Sequence, residues 1–383
     1  GQEPLDLSTA PVVVPSGLEP RRFVLRAFGV AAGTEYSFLP GGLGRVAGSP
    51  AEPTVANATG LAKDVWVPSA AAGTAAEPAG LRPRLLVATP APAQVPPRVA
   101  GTLLAIGRHA ERAEATARLL KVADDLTEDH SSRAGTPGAA AMRVLNDAAA
   151  ALTGIALGTA ETGVDFLRRG VLDAALPGSV AANVAALVSH AQHVRDLMSV
   201  DTWSVLARLE GTVADEPEAD DQLQPLLEDV LTSLLAYAGI MAQSMVRDSS
   251  WAFLDAGGRL ERAIRTVALL RHTMLPGQPR KVADLVAESV LRACESIITH
   301  RRRAAAGQGP AEAAGSALNL LVQDESNPRS VAHQLAAIAS DLRLVGDEAL
   351  AAQADMLRRR LDGLPAEDPS AWLDGLAADL ACY

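Results

Sequence analysis

The chain has 383 residues, which is enough for two or three domains with a sizeable core. Its net charge of −11 at pH 7 argues against nucleic acid as a partner, because phosphate contacts require a basic surface. The two cysteines predict neither a disulfide framework nor a zinc site and favour a cytoplasmic location.

Residues 1–67 read as β-strands, since short β-prone runs alternate with Pro-Ser-Gly, Ala-Gly-Thr and Pro-Gly-Gly turn signals. The chain begins at a glycine, and its first residues resemble the middle of a domain, so we expect a piece of a longer protein. Residues 68–97 are rich in Ala and Pro and predict a linker. Helical patterns begin near residue 98, which places a helical domain at 98–383.

The helical region contains an internal repeat. The segment GRHAERAEATARLL (107–120) matches GGRLERAIRTVALL (257–270), and PGSVAANVAAL (177–187) matches PRSVAHQLAAI (328–338) at nearly the same offset. Their apolar positions recur at steps of three and four, as in amphipathic helices. We therefore predict a mainly α protein: an all-helical bundle of two related halves, about 98–210 and 223–361, with a small β-rich N-terminal part.

Charged side chains border the apolar seam of the first repeat. They are spaced by three, three and four residues on one helical face: Arg108, Glu111, Glu114 and Arg118. In the second half, Glu261, Arg262 and Arg265 occupy the equivalent face. One interpretation is an ionic stripe that locks helices together, and the other is a cleft that binds an amine or a metal.

Three further features favour structural roles. His190 and His193 are three residues apart on a predicted helix, but no third ligand is near in sequence, so we predict no metal site. Cys294 lies in an apolar helix without an activating base, which is typical of a buried residue. The uncharged run 230–246 is too short for a confident membrane span and predicts a buried bundle helix, so no membrane partner is expected.

The stretch VQDESNPRSVAHQL (322–335) combines a helix start with a charged cluster. Asn327 suits an N-cap and Pro328 the first helical position. The first half shares the proline and the serine but not the remaining polar residues, which are Asp324, Glu325, Asn327 and Arg329. Because an arginine in the first turn opposes the helix dipole, we expect Arg329 to pair with Asp324, Glu325 or Glu261 in a cleft between the halves.

The motifs RHAERAEATARLL, SVDTWSVLARL, WAFLDAGGRLERA, THRRR and DESNPRSVAHQLA occur in this order. Together they resemble the bacterial alpha-E domain family, an all-helical domain of uncharacterised function, over about residues 97–361. The front of the chain resembles a second family. GQEPLDLSTAP, FVLRAFGV, FLPGGLGRVA and AKDVWV look like the last part of a circularly permuted, glutathionylspermidine-synthetase-like ATP-grasp domain.

The second resemblance implies an ATP- and Mg²⁺-dependent carboxylate–amine ligase in which ATP activates the carboxylate as an acyl phosphate. It places Glu3 near the nucleotide hinge and makes Arg26 a phosphate contact, and the other residues expected at the site are Arg45, Lys63 and Asp64. The sequence departs from the family pattern at 59–62 and at Gly44. These departures suggest a degenerate ligase part. Because most of the nucleotide-binding domain of that family is absent from these 383 residues, we expect no ligase activity, and no cofactor, for this chain alone.

These observations lead to three alternative hypotheses about function. In the first, the chain is the C-terminal part of an ATP-grasp/alpha-E ligase whose helical domain helps to bind a peptide or amine substrate or a partner. In the second, the helical domain is a non-catalytic scaffold for a ligase, a transglutaminase-like protein or a peptidase. In the third, the helical domain is itself an enzyme that uses Glu111, Glu261 and Arg329.

Overall fold

The computed structural model describes residues 7–14, 17–32, 35–49, 61–66, 95–155, 163–214, 223–307, 313–365 and 368–382. The chain divides into two compact units, residues 1–88 and residues 89–383. We call them the sheet unit and the helical unit. Most of the predicted linker and Glu3 lie outside the described residues.

The sheet unit is a four-stranded antiparallel sheet in which each strand pairs with the next in sequence. Its strands are β1 (Thr9–Val14), β2 (Gly17–Ala32), β3 (Glu35–Val46) and β4 (Leu61–Trp66). Large apolar side chains along β1 to β3 are exposed, among them Val13, Leu18, Val30, Tyr36 and Phe38. The described strands therefore bury few apolar side chains among themselves.

The helical unit confirms the predicted mainly α fold. Its helices are α1 (Pro97–His130), α2 (Pro137–Thr153), α3 (Gly163–Leu172), α4 (Val180–His193), α5 (Val200–Ala214), α6 (Leu223–Ser244), α7 (Ser249–Thr273), α8 (Arg280–Ala293), α9 (Ile297–Ala305), α10 (Ala313–Leu318), α11 (Val331–Leu344), α12 (Glu348–Arg360) and α13 (Ser370–Ala381). A π-helical turn at Asn319–Gln323 follows α10.

Helices α1 and α7 carry the repeated motif and form the centre of the unit. They cross at two glycines: a Cβ on Gly107 would lie 2.1 Å from the Leu254 carbonyl oxygen, and one on Gly257 would lie 2.3 Å from the Leu104 carbonyl oxygen. These contacts are reciprocal, since 107 matches 257 and 104 matches 254 in the repeat. The absence of side chains lets the two backbones touch, which brings the charged faces of both helices together.

Helix α6 is the one described helix whose length and composition would allow it to cross a membrane. Its buried residues instead recur at helical spacing, including Leu227, Val230, Leu234, Tyr237 and Met241. This stripe packs into the main hydrophobic core of the helical unit, as expected for a bundle helix.

The equivalent helices α4 and α11 begin in the same way. Ser179 and Ser330 are their N-caps, and each hydroxyl accepts a hydrogen bond from the backbone N–H three residues later. The prediction that Asn327 caps the second helix is therefore wrong by three residues. The Asn327 carboxamide instead stabilises the preceding turn, where it accepts from the Arg329 N–H and donates to the Leu320 carbonyl.

Candidate functional site

The site is built on two crossed ion pairs between α1 and α7. The Arg112 guanidinium binds the Glu261 carboxylate through two hydrogen bonds, of 2.6 and 2.8 Å. The Arg262 guanidinium binds the Glu111 carboxylate in the same bidentate way, with its Nε 2.7 Å from Oε1. Both glutamates are buried, at 6% exposure for Glu111 and 1% for Glu261. The two Glu-Arg dipeptides thus neutralise each other across the helix crossing.

Further arginines complete the network around these pairs. Arg108 donates to Glu261 at 2.9 Å from the edge of the site. The buried Glu114 accepts from Arg118 at 2.9 Å, which confirms the i,i+4 spacing read from the sequence. Glu114 also accepts from Arg329 at 2.7 Å. Glu295 provides a more exposed partner for Arg118.

The arginines favour the ionised forms of Glu114 and Glu261. Burial alone would raise the pKa of Glu114, but the guanidinium groups of Arg329, Arg262 and Arg118 lower it to about 2. Burial opposes ionisation of Glu261 as well, and hydrogen bonds and charge from Arg112 and Arg108 nevertheless hold its pKa below the usual value. At neutral pH these carboxylates are acceptors only, so neither suits a general acid or base.

Arg265 lies beside the crossed pairs and contacts no carboxylate among the described residues. Its Nη1 donates to the Leu152 carbonyl at 2.9 Å and its Nη2 donates to the Thr116 hydroxyl at 2.7 Å. Its buried Nε has no hydrogen-bond partner in the described parts of the chain. Burial lowers the pKa of Arg265 to about 10, which leaves the side chain charged at pH 7.

A cavity of about 40 Å³ adjoins this guanidinium. Arg262, Arg265 and Arg329 supply cationic groups to its lining, and Glu111 supplies a carboxylate. Burial raises the pKa of the Cys294 thiol, also in the lining, to about 12. The thiol is therefore protonated at neutral pH, which disfavours a nucleophilic role. The residue is half-buried, whereas the sequence predicted a buried cysteine.

The charged cluster at 324–329 separates in the structure. Arg329 enters the site, but its partners are Glu114 and, at 3.9 Å, Glu111, so the expected pairing with Asp324, Glu325 or Glu261 is wrong. Asp324 pairs with Arg303 at 2.6 Å, and Glu325 pairs with Arg358 at 2.7 Å. These two acids stabilise contacts within the second half and do not reach the site.

The histidine pair has ordinary partners. His190 stacks on His109 with ring centroids 5.5 Å apart, and His193 contacts the Ser189 carbonyl. His109 also bonds the Asn183 side chain at 2.9 Å. Among the described residues, no group of three or more His, Cys, Asp or Glu side chains could hold a metal ion.

The sheet unit brings together only some of the expected ATP-grasp residues. Arg26 pairs with Leu43 and Leu43 with Asp64, while Arg45 lies two residues farther along β3. Strand alternation therefore puts Arg26, Arg45 and Asp64 on one face. Lys63 is opposite Gly44 and lies on the other face, where its ammonium donates to the Pro11 carbonyl.

Sequence reasoning missed Arg112, which forms one of the two crossed pairs. The available signal was the Glu-Arg dipeptide, which occurs at 111–112 and again at 261–262, 150 residues later. Steps of three, three and four residues from Arg108 define a helical face that does not include Arg112.

A family model named Alpha-E, described as a predicted alpha-helical domain with a conserved ER motif, matches residues 95–381. Both Glu-Arg dipeptides of the crossed pairs fall within this range. The whole chain is also 32% identical to the uncharacterised proteins Rv2567 of Mycobacterium tuberculosis and Mb2597 of Mycobacterium bovis. It spans 45% of the length of each of these relatives. No solved structure matches the chain.

Proposed function

The chain belongs to the Alpha-E family, and on that premise we propose that its helical unit is a non-catalytic module that binds and positions a substrate or partner for ATP-dependent carboxylate–amine ligation. The ligation itself is assigned to a longer protein of which this chain would form the C-terminal part. The proposed substrates are peptides and amines, and the proposed location is the cytoplasm.

The observation that carries the non-catalytic role is the pairing of every buried glutamate in the site. Glu111, Glu114 and Glu261 each contact at least one guanidinium within 2.9 Å. A catalytic acid or base needs a pKa near the working pH, whereas the arginines hold the pKa values of Glu114 and Glu261 low. This argues against the third hypothesis, in which Glu111, Glu261 and Arg329 catalyse a reaction.

The ligase assignment rests on the ATP-grasp resemblance of the front of the chain. Two guanidiniums on one face, from Arg26 and Arg45, are suited to phosphate contacts. Asp64 is the single carboxylate among the proposed residues on that face, and Lys63 lies on the opposite face. The described residues therefore do not fit a complete ATP and Mg²⁺ site.

A second candidate function is a scaffold that docks a ligase, a transglutaminase-like protein or a peptidase without binding substrate. The reciprocal glycine contacts and crossed ion pairs favour it, because they fix α1 and α7 rigidly at the centre of the unit. On this alternative the site residues matter only for stability.

The test uses a longer protein that contains this chain. Glu111→Gln and Arg329→Gln are compared with Arg271→Gln, which removes an exposed arginine from the same region of the molecule. ADP release is measured with glutathione and spermidine as the first probe pair, alongside the melting temperature. For the binding role we expect KM to rise at least several-fold in the two site variants while kcat changes little.

Other outcomes separate the alternatives. A loss of kcat without a change in KM or melting temperature would show that the helical unit takes part in chemistry. Activity that falls only in proportion to the unfolded fraction would favour the scaffold. If the folded longer protein releases no ADP with any pair from a panel of peptides and polyamines, the ligase assignment is wrong.

A further inference from the structure

The ionic network of the helical unit has more cations than anions. Ion pairs join five arginines (Arg108, Arg112, Arg118, Arg262 and Arg329) and four glutamates (Glu111, Glu114, Glu261 and Glu295). Arg265 lies beside them, and with it the group has two more arginines than glutamates. This excess of two positive charges contrasts with the net charge of the chain, which is −11. Buried cations normally have counterions, because an uncompensated charge away from water is costly.

Arg265 is the clearest case of a missing counterion. Its guanidinium donates to two neutral oxygens, those of Leu152 and Thr116, and its buried Nε donates to nothing among the described residues. A buried polar atom without a partner calls for an explanation, and a bound anion would supply both the acceptor and the charge.

The internal repeat distinguishes the crossed pairs from the additional arginines. Each copy supplies one Glu-Arg dipeptide to the crossed pairs, Glu111–Arg112 from the first and Glu261–Arg262 from the second. Position 265 corresponds to Ala115 in the first copy, and Arg329 corresponds to Gly178. Arg265 and Arg329, which have no arginine at the equivalent repeat position, line the cavity with Arg262.

The size and walls of the cavity restrict the anion. One water molecule needs a cavity volume of roughly 10–15 Å³. A cavity of about 40 Å³ therefore holds a few atoms. Guanidinium groups match the planar, two-oxygen geometry of a carboxylate. Leu119, Leu152 and Leu269 are also in the lining and suit a short hydrocarbon chain. The other lining residues are Glu111, which Arg262 neutralises, and Ala115, Thr266, Ala293 and Cys294.

We propose that this cavity is a carboxylate-binding site, in which Arg265, with Arg262 and Arg329, holds the carboxylate and the leucines contact the adjoining aliphatic carbons. The proposal names the chemical class that the helical unit would bind, and it rests on the binding role proposed above. In a longer ligand, only the terminal carboxylate and its first carbons would enter the cavity.

The test is a calorimetric titration of the 383-residue chain, without ATP, at constant ionic strength and pH 7.5. The probes are sodium acetate, sodium propionate, sodium phosphate and sodium chloride. We expect saturable binding of acetate and propionate, and at least tenfold weaker binding of phosphate and chloride. Arg265→Gln should weaken propionate binding at least tenfold, while Arg271→Gln, which changes an exposed residue on the same helix, should not change it.

A second variant keeps every charge. Ala115→Leu places a larger side chain in the cavity lining, so it should also abolish propionate binding. Equal binding of chloride, a preference for phosphate, no saturable binding, or full propionate affinity in either Arg265→Gln or Ala115→Leu would each overturn the proposal. Because ATP is absent, a failure here leaves the ligation assignment standing, and a lack of ligation in the longer protein leaves this site standing.

Discussion

At the scale of single residues, the two Glu-Arg dipeptides form equivalent ion pairs between α1 and α7. Each glutamate is buried on its own helix and takes its bidentate partner from the other helix. A single substitution therefore leaves a charge uncompensated in the opposite half. Removing one partner of a fully buried pair costs roughly 3–5 kcal/mol. We expect the lower end for Glu111 and Arg262, because Arg262 retains 25% exposure.

A double-mutant cycle on Glu111→Gln and Arg262→Gln tests this. We expect the two single variants to be strongly destabilised, and the double variant to lose much less than the sum of their effects. The free energy of unfolding from urea denaturation gives the coupling. The same cycle on Glu261 and Arg112 should give a smaller coupling, because Arg108 also donates to Glu261.

The exposed pair Arg271–Asp374 is the matched control. Its side chains are 40% and 62% exposed, so its coupling should fall below about 1 kcal/mol. Additive effects at the two central pairs would mean that the network does not lock the halves.

The sequence predicted the charged face and the Glu114–Arg118 pair, because i,i+4 spacing determines neighbours on one helix. It did not predict which residue meets Arg329. That partner, Glu114, is 215 residues away and depends on how α11 approaches α1. Charge attraction alone allowed several acids near Arg329, and the packing of helices selected a more distant one.

At the scale of elements, the α1–α7 crossing depends on backbone contact. We expect Gly107→Ala to destabilise the protein by about 3 kcal/mol or more, because the new methyl group would meet the Leu254 carbonyl and force the helices apart. Gly101→Ala is the control on the same helix, where nothing lies within 4 Å of the added carbon. It should raise stability by about 0.5–1 kcal/mol. Thermal denaturation of both variants measures the difference, and equal effects would contradict the close crossing.

The contact between α7 and α11 carries a titrating carboxyl group. Burial, with the charge of Asp255, raises the pKa of Asp341 to about 7, and Arg259 only partly opposes this. The folded state therefore binds this proton more tightly than the unfolded state, whose carboxyl titrates near its usual pKa of 3.8. The contribution to stability is complete below about pH 4 and is lost as pH rises through 7.

Asp341→Asn should remove this loss of stability with rising pH. We expect the variant to melt several degrees above the unmodified protein at pH 8, and the gap to narrow towards pH 5. Asp374→Asn, which changes an exposed carboxylate, should show no such dependence on pH. A constant gap from pH 5 to pH 8 would indicate that the carboxyl of Asp341 does not titrate in this range.

The two halves of the helical unit make equivalent contacts, as the internal repeat predicts. The matching offsets predicted two related halves, and equivalent polar contacts agree in detail. Asn183 donates to the Pro177 carbonyl and bonds His109, while Gln334 donates to the Pro328 carbonyl and contacts Arg259. The start of α11 was predicted three residues early because Asn-Pro is a good start signal in isolation. The repeat itself pointed to the shared serine.

At the scale of the whole molecule, the two units differ in how much they bury. The helical unit has an extensive apolar core, whereas large side chains on the sheet unit, such as Phe28 and Tyr36, are exposed. A small sheet with little core is seldom stable alone. This supports the proposal that the sheet unit belongs to a larger domain, which is consistent with relatives that are more than twice as long as this chain.

The last prediction concerns ATP and this chain alone. Nucleotide sites need several preorganised donors and Mg²⁺ ligands on one surface. The described sheet offers Arg26, Arg45 and Asp64 on one face, with Arg26 and Asp64 exposed, and Lys63 on the other. We therefore expect no saturable heat when MgATP is titrated into the chain up to millimolar concentration. A cooperative melting curve of the same sample controls for folding. Submillimolar binding would show that a nucleotide site is complete within these 383 residues, and the ligase proposal would then apply to this chain directly.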